Sequence, residues 1–256
     1  MAPTPRALIG WKAPAAVLAA VASMGMAGAP AWVQNALSLG RADQLHAVPT
    51  VARFRLDEGG DFVLDRSSHS ALLRFENGPD ATGEIWVVAP SRGPRGDIMF
   101  KDDVGDILLR VTKLGGVTAF TTHWPSGAAA SLDGKTAPLR LAAMGPTQLY
   151  QRLVYASTRS SRAARHLVAF EAPDSDARSA PLLGETAWVA MQAFVSLSAE
   201  PRGLAAAAKI RKVVLLHGSK PGVKAQRGAV TVIVDPGDGL VGHPSSARIA
   251  QAIERQ

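Results

Sequence analysis

Cysteine is absent from this 256-residue chain. Disulfides, thiolate metal sites, cysteine nucleophiles and lipid attachment at a lipobox cysteine are therefore excluded. The periplasm is not, because a chain of this size can be stabilised by burial alone. Long apolar runs are also lacking: beyond residues 1–31 nothing is long enough to cross a bilayer. The histidines, His46, His69, His123, His166, His217 and His243, show no H-x-x-x-H pairing, so spacing argues for no zinc site, and no cofactor is implied. No internal repeat is evident.

Residues 1–31 read as a signal peptide. Arg6 and Lys12 supply a positive start, Ala13 to Ala22 an apolar core, and Ala29-Pro30-Ala31 an A-x-A-like site. A cut after Ala29 would leave Pro30 at the new N-terminus, so a cut near Ala31 is expected, with release to the periplasm or beyond. The run is too short, and too interrupted by Ser23, Gly25 and Gly28, for an uncleaved anchor.

The composition, 47% hydrophobic and 19% charged, suits a soluble protein of one large or two small domains. Charge divides unevenly. Residues 32–133 carry 10 bases and 13 acids, a net of −3, and residues 134–256 carry 16 bases and 8 acids, a net of +8. For an exported chain the anionic partners this suggests are lipopolysaccharide, phospholipid or cell-wall polymer rather than nucleic acid.

The fold class reads as α+β. After a weakly patterned lead-in, 32–50, the stretch 51–122 alternates β-rich runs with turn residues. The runs are Arg53-Phe-Arg-Leu, Asp61-Phe-Val-Leu-Asp, Ala71-Leu-Leu-Arg-Phe, Glu84-Ile-Trp-Val-Val, Asp97-Ile-Met-Phe, Ile107-Leu-Leu-Arg-Val and Val117-Thr-Ala-Phe-Thr. Strands at a spacing of about 8–12 residues predict an antiparallel meander, closed as a barrel or folded as a sandwich. Residues 123–145 read as a breaker-rich linker, with Leu139 to Met144 as a last strand.

Residues 146–256 read as a basic α-β-α-β-β-α domain. Gly145-Pro146-Thr147 opens a helix on which Leu149, Leu153, Ala156, Ser160, Ala163 and Leu167 share one face. Arg152, Arg159, Arg162 and Arg165 fall opposite and are the candidate anionic-surface residues. The alanines and serines of the apolar face suit packing against the domain better than insertion into a membrane. A second helix spans 184–197 and buries Trp188, Met191, Phe194 and Val195. Lys209 to Leu216 and Ala229 to Val234 read as strands, and Ser245 or Ser246 caps a final helix burying Ile249 and Ile253.

Several motifs fail on context. Val213-Val-Leu-Leu-His-Gly resembles an oxyanion-hole strand, but no G-x-S-x-G elbow follows. Asp133-Gly-Lys-Thr has Ala129 where a phosphate loop requires its first glycine. Arg95-Gly-Asp97 is three residues at a turn, and Asp235-Pro-Gly-Asp-Gly-Leu has too few carboxylates for a calcium loop. Asp97, Asp102, Asp103 and Asp106 fall mostly at a turn, where aspartate is favoured anyway.

The meander carries Phe62-Val-Leu-Asp-Arg-Ser, Leu72-Leu-Arg-Phe-Glu, Glu84-Ile-Trp-Val, Pro94-Arg-Gly-Asp-Ile, Asp103-Val-Gly and Leu109-Arg-Val-Thr-Lys-Leu-Gly-Gly. Leu149-Tyr-Gln-Arg-Leu, Ser179-Ala-Pro and Gly242-His-Pro-Ser-Ser-Ala-Arg-Ile follow. These phrases resemble a domain-of-unknown-function family of exported alphaproteobacterial proteins. The resemblance implies bacterial export over nearly the whole mature chain and brings no functional residues with it.

Three functions stay open from sequence. The first is a non-enzymatic envelope protein that binds an anionic envelope component or a protein partner. The alternative is a periplasmic hydrolase assembled from residues distant in sequence, such as Asp102, Asp103 or His217. The third is an inhibitor or chaperone module using an edge strand or the Pro90–Gly96 loop, where Arg92 and Arg95 lie between glycines and prolines.

Overall fold

The computed structural model describes residues 48–256. The expected signal peptide and most of the lead-in lie outside the described residues. Eight strands come first: β1 Val51–Leu56, β2 Asp61–Asp65, β3 Ala71–Glu76, β4 Trp86–Arg92, β5 Ile98–Lys101, β6 Ile107–Val111, β7 Val117–Ala119 and β8 Ala128–Lys135. Each pairs antiparallel with its sequence neighbour, and β8 returns to pair with β1, so the meander is a closed barrel. Closure removes the free edges that a sandwich would leave.

The strand faces follow from side-chain alternation. Phe54 and Leu56 of β1, Phe62 and Leu64 of β2, and Leu73 and Phe75 of β3 fill the interior with Phe100 and Leu109. Phe54 lies opposite Phe62 and stacks on it, ring centroids 4.9 Å apart. β2 and β3 are buried on their outer face as well, where Val63 and Leu72 pack with Ile85, Leu139 and Leu240. Two-sided burial explains why these two strands read as unbroken apolar runs.

The segment expected as a linker holds β8. Of its residues only Ala128 is buried, so it carries no apolar signature, and pairing with β1 and β7 makes it a strand. Leu139 to Met144 is not a strand. Leu139 is instead drawn under β2 and β3, and its N–H donates to the buried Asp65 carboxylate at 2.8 Å.

Four helices and a second sheet complete the described chain: α1 Pro146–Ala164, β9 Ala169–Glu171, α2 Ala180–Leu197, α3 Pro201–Ala207, β10 Lys212–His217, β11 Gly222–Gln226, β12 Ala229–Val234 and α4 Ser246–Glu254. This adds a short helix and β11 to the expected order. The sheet runs β11-β12-β10-β9, with β10 parallel to both neighbours and β11 antiparallel to β12. α2 is buried on nearly every side, among Val213, Leu215, Val230 and Val232 of the sheet, the small residues Ala156, Ser160 and Ala164 of α1, and Ile249 of α4. A helix apolar all round belongs inside a core. Among the described residues no helix is long and apolar enough to cross a membrane.

The described residues form one unit, and the barrel and the helical layer are tied at several points. Asp103, on the β5–β6 turn, accepts from the Ser245 N–H at 3.1 Å and from its hydroxyl, and Arg248 closes on the same residue. Glu84 accepts from the Ser246 N–H at 2.9 Å. Thr82 O accepts from Trp188 Nε1 at 2.9 Å and Gln192 Nε2 at 2.7 Å. Gly83, beside the Trp188 ring, takes the left-handed backbone (φ 77) that favours glycine.

Replacing Phe62 by alanine removes a fully buried ring from the barrel interior. We expect a stability loss of about 3–5 kcal/mol, read from denaturant midpoints at unchanged m-value; a loss below about 1 kcal/mol would contradict a packed interior.

Candidate functional site

The four predicted arginines divide in two. Arg159, Arg162 and Arg165 are exposed, and none forms an ion pair among the described residues. Arg162 and Arg165 stand at the carboxyl end of α1, where positive charge offsets the helix dipole. Arg152 is not with them. Its guanidinium lies over the Trp188 ring, 5.0 Å from the centroid, on the side facing α2.

The outer side of α1 is also less purely basic than its arginines suggest. Tyr150 is 68% exposed, and Val154 and Tyr155 are each 46% exposed. Tyr155 is held parallel to Trp188 at 5.9 Å, which fixes its ring while leaving an edge in solvent. Leu167, expected on the buried face, is 74% exposed. The helix ends at Ala164 and Arg165 turns left-handed (φ 60), so the periodicity that buries Ala156, Ser160 and Ala164 no longer governs Leu167.

A cleft of about 680 Å³ opens between the barrel wall and the faces of α2 and α4. Phe75, Trp86, Phe120 and Leu108 of the barrel and Val195 of α2 form its apolar walls. Asp80, Glu84, Asp102 and Asp106 also line it. The Asp80 carboxylate accepts from His123 Nδ1 at 2.9 Å, and its other oxygen is buried without a partner. Asp102 spends one oxygen on three backbone N–H groups, of Val104, Gly105 and Asp106, at 2.8–3.1 Å. That shapes the turn, and burial still raises the Asp102 carboxyl.

Glu84 sits deepest, 2% exposed. Its carboxyl is pushed up to about 8, first by burial, with the hydroxyl and N–H of Ser246 opposing the rise and the charges of Glu185 and Asp103 adding to it. Burial likewise raises Glu185, one of whose oxygens has no partner.

The residues considered for a hydrolase are not assembled. Asp102 shapes a turn, Asp103 holds Ser245, and His217 ends β10 outside the cleft. Among the described residues His123 has a carboxylate partner and no serine one. In Arg95-Gly-Asp97 the aspartate is buried against Arg110, whose Nε donates to it at 2.7 Å, so the tripeptide presents no free acid. Of the expected Pro90–Gly96 loop, Pro90 to Arg92 belong to β4 and pair with β5, and only the turn from Gly93 remains, closed by Gly93 N–H to Asp97 O at 2.8 Å, with Arg92 and Arg95 exposed.

The family described as "Domain of unknown function (DUF4908)" matches residues 33–253. The chain belongs to that family. No curated protein and no solved structure matches it. The DUF4908 match runs without division through barrel and helical layer, as the ties between them require. It also takes in both halves of the junction, Glu84 and Asp103 from the barrel and Ser245 and Ser246 from α4.

Sequence reading missed the cleft. Asp80 and His123 stand 43 residues apart with no motif between them. Glu84 did carry a signal, a carboxylate heading the apolar run Ile85-Trp-Val-Val.

A carboxyl raised on folding holds its proton through a window where the unfolded chain has lost it. From the ordinary carboxylate range up to about 8, Glu84 therefore lowers stability as pH rises, by at most about 1.4 kcal/mol per pH unit, and adds no slope above. Glu84→Gln keeps an acceptor for Ser246 and removes the titration. Denaturant midpoints at pH 5 and pH 8 should draw together in the variant, with a residual slope from Asp102 and Glu185. Parallel pH profiles would contradict a buried, proton-holding Glu84.

Proposed function

We propose that the protein is an exported, non-enzymatic cell-envelope protein that docks on anionic phospholipid through the outer side of α1. The observation that carries this reading is that α1 and its C-cap carry cations with no ion pair among the described residues beside exposed apolar side chains. Arg159, Arg162 and Arg165 offer charge, Tyr150, Val154 and Tyr155 offer apolar contact, and Leu167 is exposed just past the helix end. Tyrosine and arginine together suit the headgroup level of a bilayer, where rings meet the acyl boundary and guanidinium groups meet phosphates. A purely polar cell-wall polymer would use the charge but gain little from the tyrosines. The small residues that argued against membrane contact face α2, so the outer side is free of them. Envelope placement rests on the leader pattern of residues 1–31 and on the family resemblance to exported proteins.

The hydrolase alternative draws on the Asp80–His123 pair at the cleft, but among the described residues no hydroxyl is hydrogen-bonded to the histidine as a nucleophile. Binding is therefore the preferred reading.

Residues 32–256 should co-sediment with vesicles containing phosphatidylglycerol and not with pure phosphatidylcholine vesicles, and the binding should weaken as salt rises. Changing Arg159, Arg162 and Arg165 to serine should weaken it roughly 100-fold, at about 1 kcal/mol for each basic residue near the surface. Changing Tyr150 and Tyr155 to serine should weaken it further at high salt. Binding to peptidoglycan sacculi alone, or vesicle binding indifferent to the arginines, would overturn the phospholipid reading.

A further inference from the structure

The junction cleft has no part in the docking of α1. We propose that it binds an organic cation, an amine on an apolar body of small-molecule size, seated between the barrel and α2 with its nitrogen against the carboxylates. A volume of about 680 Å³ falls within the range of small-molecule sites. The walls suit an apolar body, and the rings of Phe75, Trp86 and Phe120 can also face a cation.

Charge selects the ligand further. The chain carries 28 lysines and arginines against 21 acids. Yet among the described residues the cleft is lined by the carboxylates Asp80, Asp102 and Asp106 and the proton-holding Glu84, by no lysine or arginine, and by His123 as its one base. An anion placed there would meet carboxylates on several sides. Asp80 itself is held at the lining by His123, whose Nδ1 lies 2.9 Å from its Oδ1, so its charge is fixed in place for an ammonium partner. The carboxylates are also spread along the cleft: among the described residues no three side chains converge as metal ligands. A diffuse acidic field beside aromatic walls suits an extended organic cation better than a point charge.

The test compares three probes of one shape, 4-phenylbutylamine, 4-phenylbutanol and 4-phenylbutyrate, by calorimetry and saturation-transfer NMR on the full chain. The amine should bind about tenfold tighter than the alcohol, and the carboxylate weakest. Asp80→Asn with Asp106→Asn should reduce the amine to the level of the alcohol while leaving the alcohol unchanged. Ser196→Trp, at an exposed position of α2 on the cleft lining, should block all three and keeps the test independent of the carboxylate variants. Equal binding of amine and carboxylate, amine binding that survives Ser196→Trp, or no amine binding to the folded protein at millimolar concentration would overturn the proposal. None of these outcomes bears on vesicle binding by α1.

Discussion

The N-terminus of α4 is capped by the barrel. Four N–H groups at the start of a helix have no partner within it, and they form the positive end of its dipole. Here Ser245 closes one of them from within, its hydroxyl accepting from the Arg248 N–H at 3.0 Å. Asp103 and Glu84 then reach across from the barrel to Ser245 and Ser246. Two carboxylates on two different barrel turns therefore fix where the last helix starts, and through Ile249 and Ile253 the position of the core around α2. Losing either would leave an N–H at the start of α4 without its acceptor, which is costly.

The cleft lies beside that clamp. α4 and α2 approach the barrel at Ser246 and at Gln192, and the cleft is lined from the barrel by Phe75, Trp86 and Phe120. The clamp also concentrates acid on one side of the molecule. Glu84 and Asp103 both accept from the start of α4, and Asp80 and Asp102 sit on neighbouring turns. The net −3 of the N-terminal half is thus gathered largely at the junction, while the outer side of α1 presents the unpaired arginines of the basic half. The two surfaces invite ligands of opposite charge.

Most of the barrel was legible because its strands bury alternate residues between turns of characteristic composition. β8 was not, since a strand whose residues are nearly all exposed has no apolar period and depends on its neighbours for its form. β11 hid for the same reason: Gly222 to Gln226 is an edge strand with no buried residue, and its glycine and lysine read as a connection. The register of α1 was legible through Ala164, and of the two serines read as possible caps of α4 the structure uses Ser245. What single-sequence reading could not reach was contact between distant segments. The Asp103–Ser245 tie joins residues 142 positions apart, and nothing local distinguishes that aspartate from its neighbours in the turn. Helical periodicity gave Arg152 a face and could not show that Trp188 stands beside it.

Native-state hydrogen exchange, with and without Asp103→Ala, decides whether the junction holds the molecule together. If it does, amides of β1 to β3 and of β10 and β12 open with one shared free energy in the unaltered protein, and both groups lose protection in the variant. Separate opening energies for barrel and sheet, with Asp103→Ala affecting α4 alone, would contradict a single unit locked through its last helix.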